Sequence, residues 1–189
     1  MQLSGKITLP TTYNGSPIIS IASNGFSNDA GNKITHIYWY GEPQIRRISE
    51  GAFQNCTALI SFDLPEKTEE IAASAFAGCS NLRVLDFASS HLRIIGGYAF
   101  NAAMTNGNER LDVLHLPGSL YEVGNFAFAY MTFKNGISKL QFGGPGDPTQ
   151  LGSMGDSGFQ ADRPANRYGD VEFYVSSNTN QEVLNSVLG

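Results

Sequence analysis

Few residues in this chain have the type and spacing to do chemistry. Gly155-Asp156-Ser157-Gly158 has the look of a segment around a catalytic serine, and His36, His91 and His115 are the available bases. Nucleophilic serine chemistry needs a His and a buried carboxylate converging on the hydroxyl, with backbone donors for the oxyanion. Here Phe159 and Gln160 follow, no His sits in a matching segment, and Ser157 precedes a Gly-Phe pair of a kind that recurs along the chain, so the segment reads as a turn. A metal centre asks for closely spaced Cys or His pairs, and neither Cys-x-x-Cys nor His-Glu-x-x-His occurs. The glycine-rich loop 143–147 lacks the Gly-Lys-Ser/Thr ending that cradles phosphate. No cofactor is implied, and the chain reads as non-enzymatic.

Composition removes further classes. Twelve Lys plus Arg against 17 Asp plus Glu give a net charge of −5, and the only adjacent basic pair is Arg46-Arg47, so there is no basic face for nucleic acid. Charged residues make up 15% of the chain, apolar ones 41%, and there are 21 Gly and 8 Pro among 189 residues, which fits one packed domain and excludes disorder. The apolar runs break long before the roughly 20 residues a membrane helix needs, so no membrane insertion is expected. No apolar stretch follows a basic cap at the start, so no signal peptide is visible.

The elements that must position any site emerge from self-comparison. A small residue followed by Phe recurs at Gly25-Phe26, Ala52-Phe53, Ala75-Phe76, Ala99-Phe100, Ala127-Phe128 and Gly158-Phe159, with Phe spacings of 27, 23, 24, 28 and 31. Each is followed by apolar residues at positions 1, 4 and 6 of a short segment, as in Leu59-Ile60-Ser61-Phe62-Asp63-Leu64 and Leu111-Asp112-Val113-Leu114-His115-Leu116. Period-two alternation makes this segment a strand with positions 4 and 6 inward and positions 3 and 5 in solvent. The small-Phe element is too short for an independent helix, which needs about 12 residues, and is expected to be one helical or 3-10 turn. Ile45 and Ile48, Ile71, Ile95 and Val123 predict a second short strand on the outer side. One unit cannot bury its own apolar face, but six stacked units can. The expected organisation is a single domain over 1–189, with repeats near 18–40, 45–65, 70–87, 92–117, 120–142 and 151–173. Segments 105–108 and 162–166 read as insertions. A capping box at Thr179-Asn180-Gln181-Glu182 opens a terminal helix over 179–188. No such cap precedes Ile7, which suits the C-terminal part of a longer array.

The unit Ile48-Ser49-Glu50-Gly51-Ala52-Phe53-Gln54-Asn55-Cys56-Thr57-Ala58-Leu59-Ile60-Ser61-Phe62-Asp63-Leu64-Pro65 resembles the BspA-type leucine-rich repeat. So does the segment from Ile71 to Phe87, and the opening Ile7-Thr8-Leu9-Pro10-Thr11-Thr12-Tyr13-Asn14-Gly15 resembles that family's spacer. The resemblance implies an α/β repeat solenoid: a right-handed superhelix of short parallel strands with short helical or 3-10 turns, about six repeats. It also implies a setting at the cell surface or outside the cell, and adhesion to a protein partner such as a host matrix or cell-surface protein.

Stacking gives the remaining polar residues their meaning. Position 5 of successive strands forms the row Thr8, Tyr38, Asp63, Asp86, His115, Gln141 and Glu172, with neighbours about 4.8 Å apart. Asp63, Asp86 and His115 could there hold a cation or act as an acid–base pair, though a solvated face is the simpler reading. Cys56 and Cys79, at equivalent positions, read as two reduced core thiols, with a disulfide as the alternative where geometry permits. Tyr38 and Tyr40 alternate with an inward Trp39 and face solvent beside His36, a composition suited to protein hot spots or to stacking on sugars. The candidate binding residues are His36, Tyr38, Tyr40, Ser61, Asp63, Asp86, His115, Lys139 and Gln141, on a concave strand face offered to a protein; a glycan or cell-wall ligand is the alternative.

Overall fold

A computed structural model describes residues 4–27, 33–83, 87, 90–106, 113–131, 139–144, 147–148, 150–155 and 170–173. Its strands are β1 (Gly5–Pro10), β2 (Thr12–Tyr13), β3 (Ser16–Pro17), β4 (Ser20–Ile21) and β5 (Ile34–Tyr40). They continue as β6 (Arg47–Ile48), β7 (Ser61–Phe62), β8 (Glu70–Ile71), β9 (Ile94–Ile95) and β10 (Val113–Leu116). The last are β11 (Glu122–Val123), β12 (Lys139–Gly144), β13 (Asp147–Pro148), β14 (Ser153–Met154) and β15 (Asp170–Phe173). Two hairpins, β2–β3 and β12–β13, are antiparallel; every other pairing is parallel.

The inner strands form a β1-β5-β7 sheet and a β10-β12-β15 sheet. The register is that of the repeat: Ile7 pairs with Ile37 and Ile37 with Phe62, while His115 pairs with Gln141 and Gln141 with Glu172. The outer strands form one six-stranded parallel sheet in the order β4-β6-β8-β9-β11-β14, each only two residues long. Ile21, Ile48, Ile71, Ile95 and Val123 follow one another down this sheet, all buried, as their spacing requires.

Between the sheets the Phe residues stand in a column. Phe26, Phe53, Phe76, Phe100 and Phe128 stack face to face at successive centroid distances of 5.2, 5.1, 5.3 and 5.3 Å, with ring planes within 16° of parallel. Phe62 wedges against Phe53 and Phe76, and Phe87 packs edge-on against Phe100, so these two rings fill spaces beside the column. Ala52, Ala75, Ala99 and Ala127, directly before the rings, are all fully buried, where a larger side chain would push the coils apart. At Gly96 and Gly124 the backbones of adjacent coils approach each other closely. A Cβ there would fall 2.5 Å from the Ala73 nitrogen and 2.4 Å from the Gly97 nitrogen.

Among the described residues no helix forms around these rings, and the hydrogen bonds explain why. Gly51, Phe53 and Asn55 donate their N–H groups to the Ala73, Ala75 and Ala77 carbonyls of the next coil, whereas Ala52, Gln54 and Cys56 donate to Ser49, Gly51 and Phe53 of their own. The alternation recurs when Ser74, Phe76 and Gly78 donate to Gly97, Ala99 and Asn101, and again when Tyr98, Phe100 and Ala102 donate to Asn125, Ala127 and Ala129. With every second donor committed to the neighbouring coil, the segment closes only i→i−3 turns and no i→i−4 ladder can run. The geometry requires a left-handed residue two places before each Phe, at Asn24, Gly51, Ser74, Tyr98 and Phe126, and two places after it at Asn55, Gly78, Ala102 and Tyr130. The non-glycine members of this set carry a conformational cost of about 1 kcal/mol or more each, which inter-coil bonding and burial offset.

The residues expected to form insertion 162–166 and the terminal helix 179–188 lie outside the described residues, as does Phe159. Of the expected insertion at 105–108, the described Asn106 bonds back to the preceding coil: its N–H reaches the Ser80 carbonyl and its side-chain amide reaches Ser80 and Asn81.

Cys56 and Cys79 are free, buried thiols on successive coils. Each donates to a carbonyl of the coil before it, Cys56 to Phe26 at 2.9 Å and Cys79 to Phe53 at 3.1 Å. The Cys79 pKa is raised well above the ordinary thiol range, first by hydrogen bonding with the Cys56 thiol, then by burial, then by the repulsion a second thiolate would meet.

Two outcomes follow from this packing. Phe76→Ala, which removes a ring flanked on both sides, should cost about 3–5 kcal/mol in urea unfolding, and Phe26→Ala, at a partly buried ring stacked on Phe53 alone, distinctly less; equal losses would contradict a stacked column. Above about pH 8.5 the unfolded chain ionises Cys79 while the folded chain keeps it protonated, so the unfolded state binds fewer protons and stability falls with rising pH by up to about 1.4 kcal/mol per unit. Cys79→Ala should lose that part of the alkaline slope, as measured by urea midpoints from pH 8 to pH 10.

Candidate functional site

The inner strand face is built by alternation. Along β5 the side chains of Ile34 and Ile37 go into the core, Trp39 packs edge-on against Phe62 and gives its indole N–H to the Asp63 carbonyl at 3.0 Å, and Tyr38 and Tyr40 turn outward. Tyr40 is 79% exposed and Tyr38 is 38% exposed. His36 and Tyr38, two residues apart on one strand face, lie parallel with centroids 6.2 Å apart and planes at 8°, and the His36 Nδ1 contacts the Thr35 hydroxyl at 2.9 Å. Pairing sets Lys6, His36 and Ser61 in one row and Thr8 beside Tyr38 in the next, which exposed Asp63 extends beyond the end of β7.

A second inner sheet, β10-β12-β15, carries the other candidate residues. His115 is half-buried in register with Gln141, whose side-chain amide folds back to the Gly143 carbonyl at 2.9 Å, and Lys139 is in register with Val113 and Asp170. The structure therefore brings together His36, Tyr38, Tyr40, Ser61 and Asp63 on one sheet, and Lys139, His115 and Gln141 on another. Asp86 lies outside the described residues, so the Asp63–Asp86–His115 grouping falls there too, as does Ser157. Among the described residues, no three His, Cys, Asp or Glu side chains converge as a metal site would need, and no helix is long and apolar enough to cross a membrane.

The outer sheet carries a groove. It encloses about 420 Å³ and crosses four coils. Its first half is made by two ion pairs between adjacent coils, Arg46 with Glu69 and Arg47 with Glu70. Both arginines are more than half exposed and both glutamates remain in contact with water, so each pair contributes at most about 1 kcal/mol. Its second half is Arg93 and Ile94 on one coil and Tyr121 and Glu122 on the next. Successive residues share one acceptor, Arg93 and Ile94 both donating to the Glu69 carbonyl and Tyr121 and Glu122 both to that of Arg93, which packs two groove-lining residues into each short strand. The Tyr121 ring lies flat over Gly152, where a Cβ would fall 2.3 Å from its Cε2. The signal was in the sequence: Arg46-Arg47 precede Glu69-Glu70 by the same 23 residues that separate Phe53 from Phe76 and Cys56 from Cys79.

Comparison with known proteins places the fold. The chain is similar to the crystal structure of a leucine-rich repeat protein from Bacteroides ovatus, with 20% identity over 93% of this chain and 49% of that one and a TM-score of 0.58. It spans about half the length of that protein. It is also similar to a leucine-rich repeat protein of T. pallidum, with 17% identity over 97% of this chain and 81% of that one and a TM-score of 0.48. No curated protein matches in sequence. A family model described as the BspA type leucine rich repeat region matches residues 5–105 in six copies. With its phased Phe and aliphatic columns, its parallel two-sheet coils and this match over more than half its length, the chain belongs to the BspA-type leucine-rich repeat family.

Proposed function

We propose that the chain is a non-catalytic binding module that presents its inner strand face to a protein partner, in an adhesive role outside the cell or at its surface. The observation that supports this most is the aromatic row on β5: a parallel His36–Tyr38 pair with Tyr40 beyond it, held on a hydrogen-bonded sheet whose opposite side is core. Rigid aromatic side chains give contact area at low entropic cost, and a sheet fixed before binding loses little further freedom when it binds. Ser61, Asp63, His115, Lys139 and Gln141 would supply hydrogen bonds and charge around that row, with Asp86 as a further member. The leucine-rich repeat scaffold suits this use because its columns repeat a surface along the stack.

A second reading has its own support in Tyr40, whose 79% exposure leaves an aromatic surface open as a platform for a saccharide ring. One experiment separates the two. Wild-type protein and the variants Tyr38→Ala and Tyr40→Ala are applied to an array of matrix proteins and an array of glycans, with thermal unfolding as the control for folding. The protein-binding reading expects wild-type binding to one or more matrix proteins, weakened about tenfold or more by Tyr38→Ala. Saccharide binding alone, lost in either variant, favours the glycan reading, and matrix binding indifferent to both variants would remove the β5 row from the site.

A further inference from the structure

We propose that the outer groove is a second docking surface, independent of the Tyr face, which takes an extended protein segment carrying an acidic and a basic side chain two residues apart.

The argument starts from charge. Three arginines and three glutamates line the groove, and two pairs neutralise each other across adjacent coils. Arg93 and Glu122 remain. Both are exposed, and neither has a side-chain partner among the described residues. They sit on successive coils and on different positions of the short outer strands, Arg93 one place before β9 and Glu122 opposite Ile94, so they occupy diagonal corners of a four-residue patch. Ile94 and Tyr121 hold the other two corners, Ile94 half-buried and Tyr121 51% exposed. A cation and an anion that form no ion pair among the described residues, with apolar surface at the other two corners, are complementary to a ligand with one anion and one cation joined by aliphatic stems.

Geometry narrows the ligand. Coil spacing is 5.1–5.3 Å by the Phe column. With one residue of extended chain contributing about 3.3 Å, the diagonal is about 6 Å. Side chains at i and i+2 of an extended peptide share a face and lie about 6.6 Å apart. An acid–x–base segment, or the reverse order, therefore sets its two charges on Arg93 and Glu122, lays its stems against Ile94 and Tyr121, and turns residue x to solvent. The Arg46–Glu69 and Arg47–Glu70 pairs continue the groove with both signs already satisfied, so they discourage a segment of uniform charge.

The test uses the whole chain and two blocked pentapeptides, acetyl-Ala-Glu-Ala-Lys-Ala-amide and acetyl-Ala-Lys-Ala-Glu-Ala-amide, with acetyl-Ala-Gln-Ala-Gln-Ala-amide as the uncharged probe, followed by amide chemical shifts. The proposal expects saturable shifts at Ile94, Tyr121 and Gly152 with a charged peptide, a preference for one residue order, and about fivefold weaker binding for Arg93→Ala. The double variant Arg93→Glu with Glu122→Arg should invert the preference between the two orders, a result that general loss of folding or non-specific attraction cannot give. Absence of saturable shifts, equal response to the uncharged peptide, or an order preference unchanged in the double variant would each overturn it. So would shifts of the same amides that grow with protein concentration in the absence of peptide, which would assign the groove to a second copy of the chain.

Discussion

The face-to-face stacking of one Phe per coil is the constraint on which the rest of the structure depends. Rings 5.1–5.3 Å apart lie slightly wider than the 4.7–4.9 Å of paired strands, so one spacing serves the column and both sheets. That spacing demands the buried alanines before each ring and the glycines at 96 and 124, whose neighbours leave no space for a side chain. It also decides the local backbone. Because each coil must hydrogen-bond its neighbour at every second residue around the ring, the segment abandons helix and accepts left-handed conformations at residues as bulky as Tyr98 and Phe126. Those two side chains stack on each other at 5.2 Å on the surface, which returns part of the cost.

Both surfaces of the molecule inherit the column's regularity. On the inner face it aligns Lys6, His36 and Ser61, and separately His115, Gln141 and Glu172, in straight rows. On the outer face it turns pairs of adjacent residues into two-column charge patterns, so that Arg46-Arg47 meet Glu69-Glu70 side by side. A single coil has neither surface. Both surfaces and the stability of such a stack come from the same nearest-neighbour contacts, and a substitution in the column is expected to be felt on both faces.

How much could be read beforehand follows from the same physics. The Phe column from Phe26 to Phe128, the inward 1-4-6 residues, the outer Ile strand and the inner register within β1-β5-β7 and within β10-β12-β15 were legible because burial at a fixed period leaves a repeating apolar pattern. The placement of Cys56 and Cys79 on successive coils was legible for the same reason, whereas residue type and spacing left open whether they are bonded, and the structure has both as free thiols. The turn conformation around each Phe was not, because its cause is a donor pattern between coils that leaves no mark in residue type: the left-handed position before the ring is Asn, Gly, Ser, Tyr or Phe in turn. The outer groove was missed for a different reason. Its residues are partly or fully exposed and chemically varied, so only the 23-residue offset from Arg46-Arg47 to Glu69-Glu70 betrays one half of it, and that offset acquires meaning once the coil register is known. Tyr121 over Gly152 has no motif at all; it is a contact between residues far apart in sequence that happen to occupy adjacent coils.

The stacked column is tested most directly by double-mutant cycles in urea unfolding. One cycle pairs Phe53→Leu with Phe76→Leu, rings in direct contact at 5.1 Å; the other pairs Phe53→Leu with Phe100→Leu, two coils apart. Nearest-neighbour stacking predicts a coupling of about 0.5–1.5 kcal/mol in the first cycle and close to none in the second. Coupling of the same size in both, or none between Phe53 and Phe76, would contradict the account.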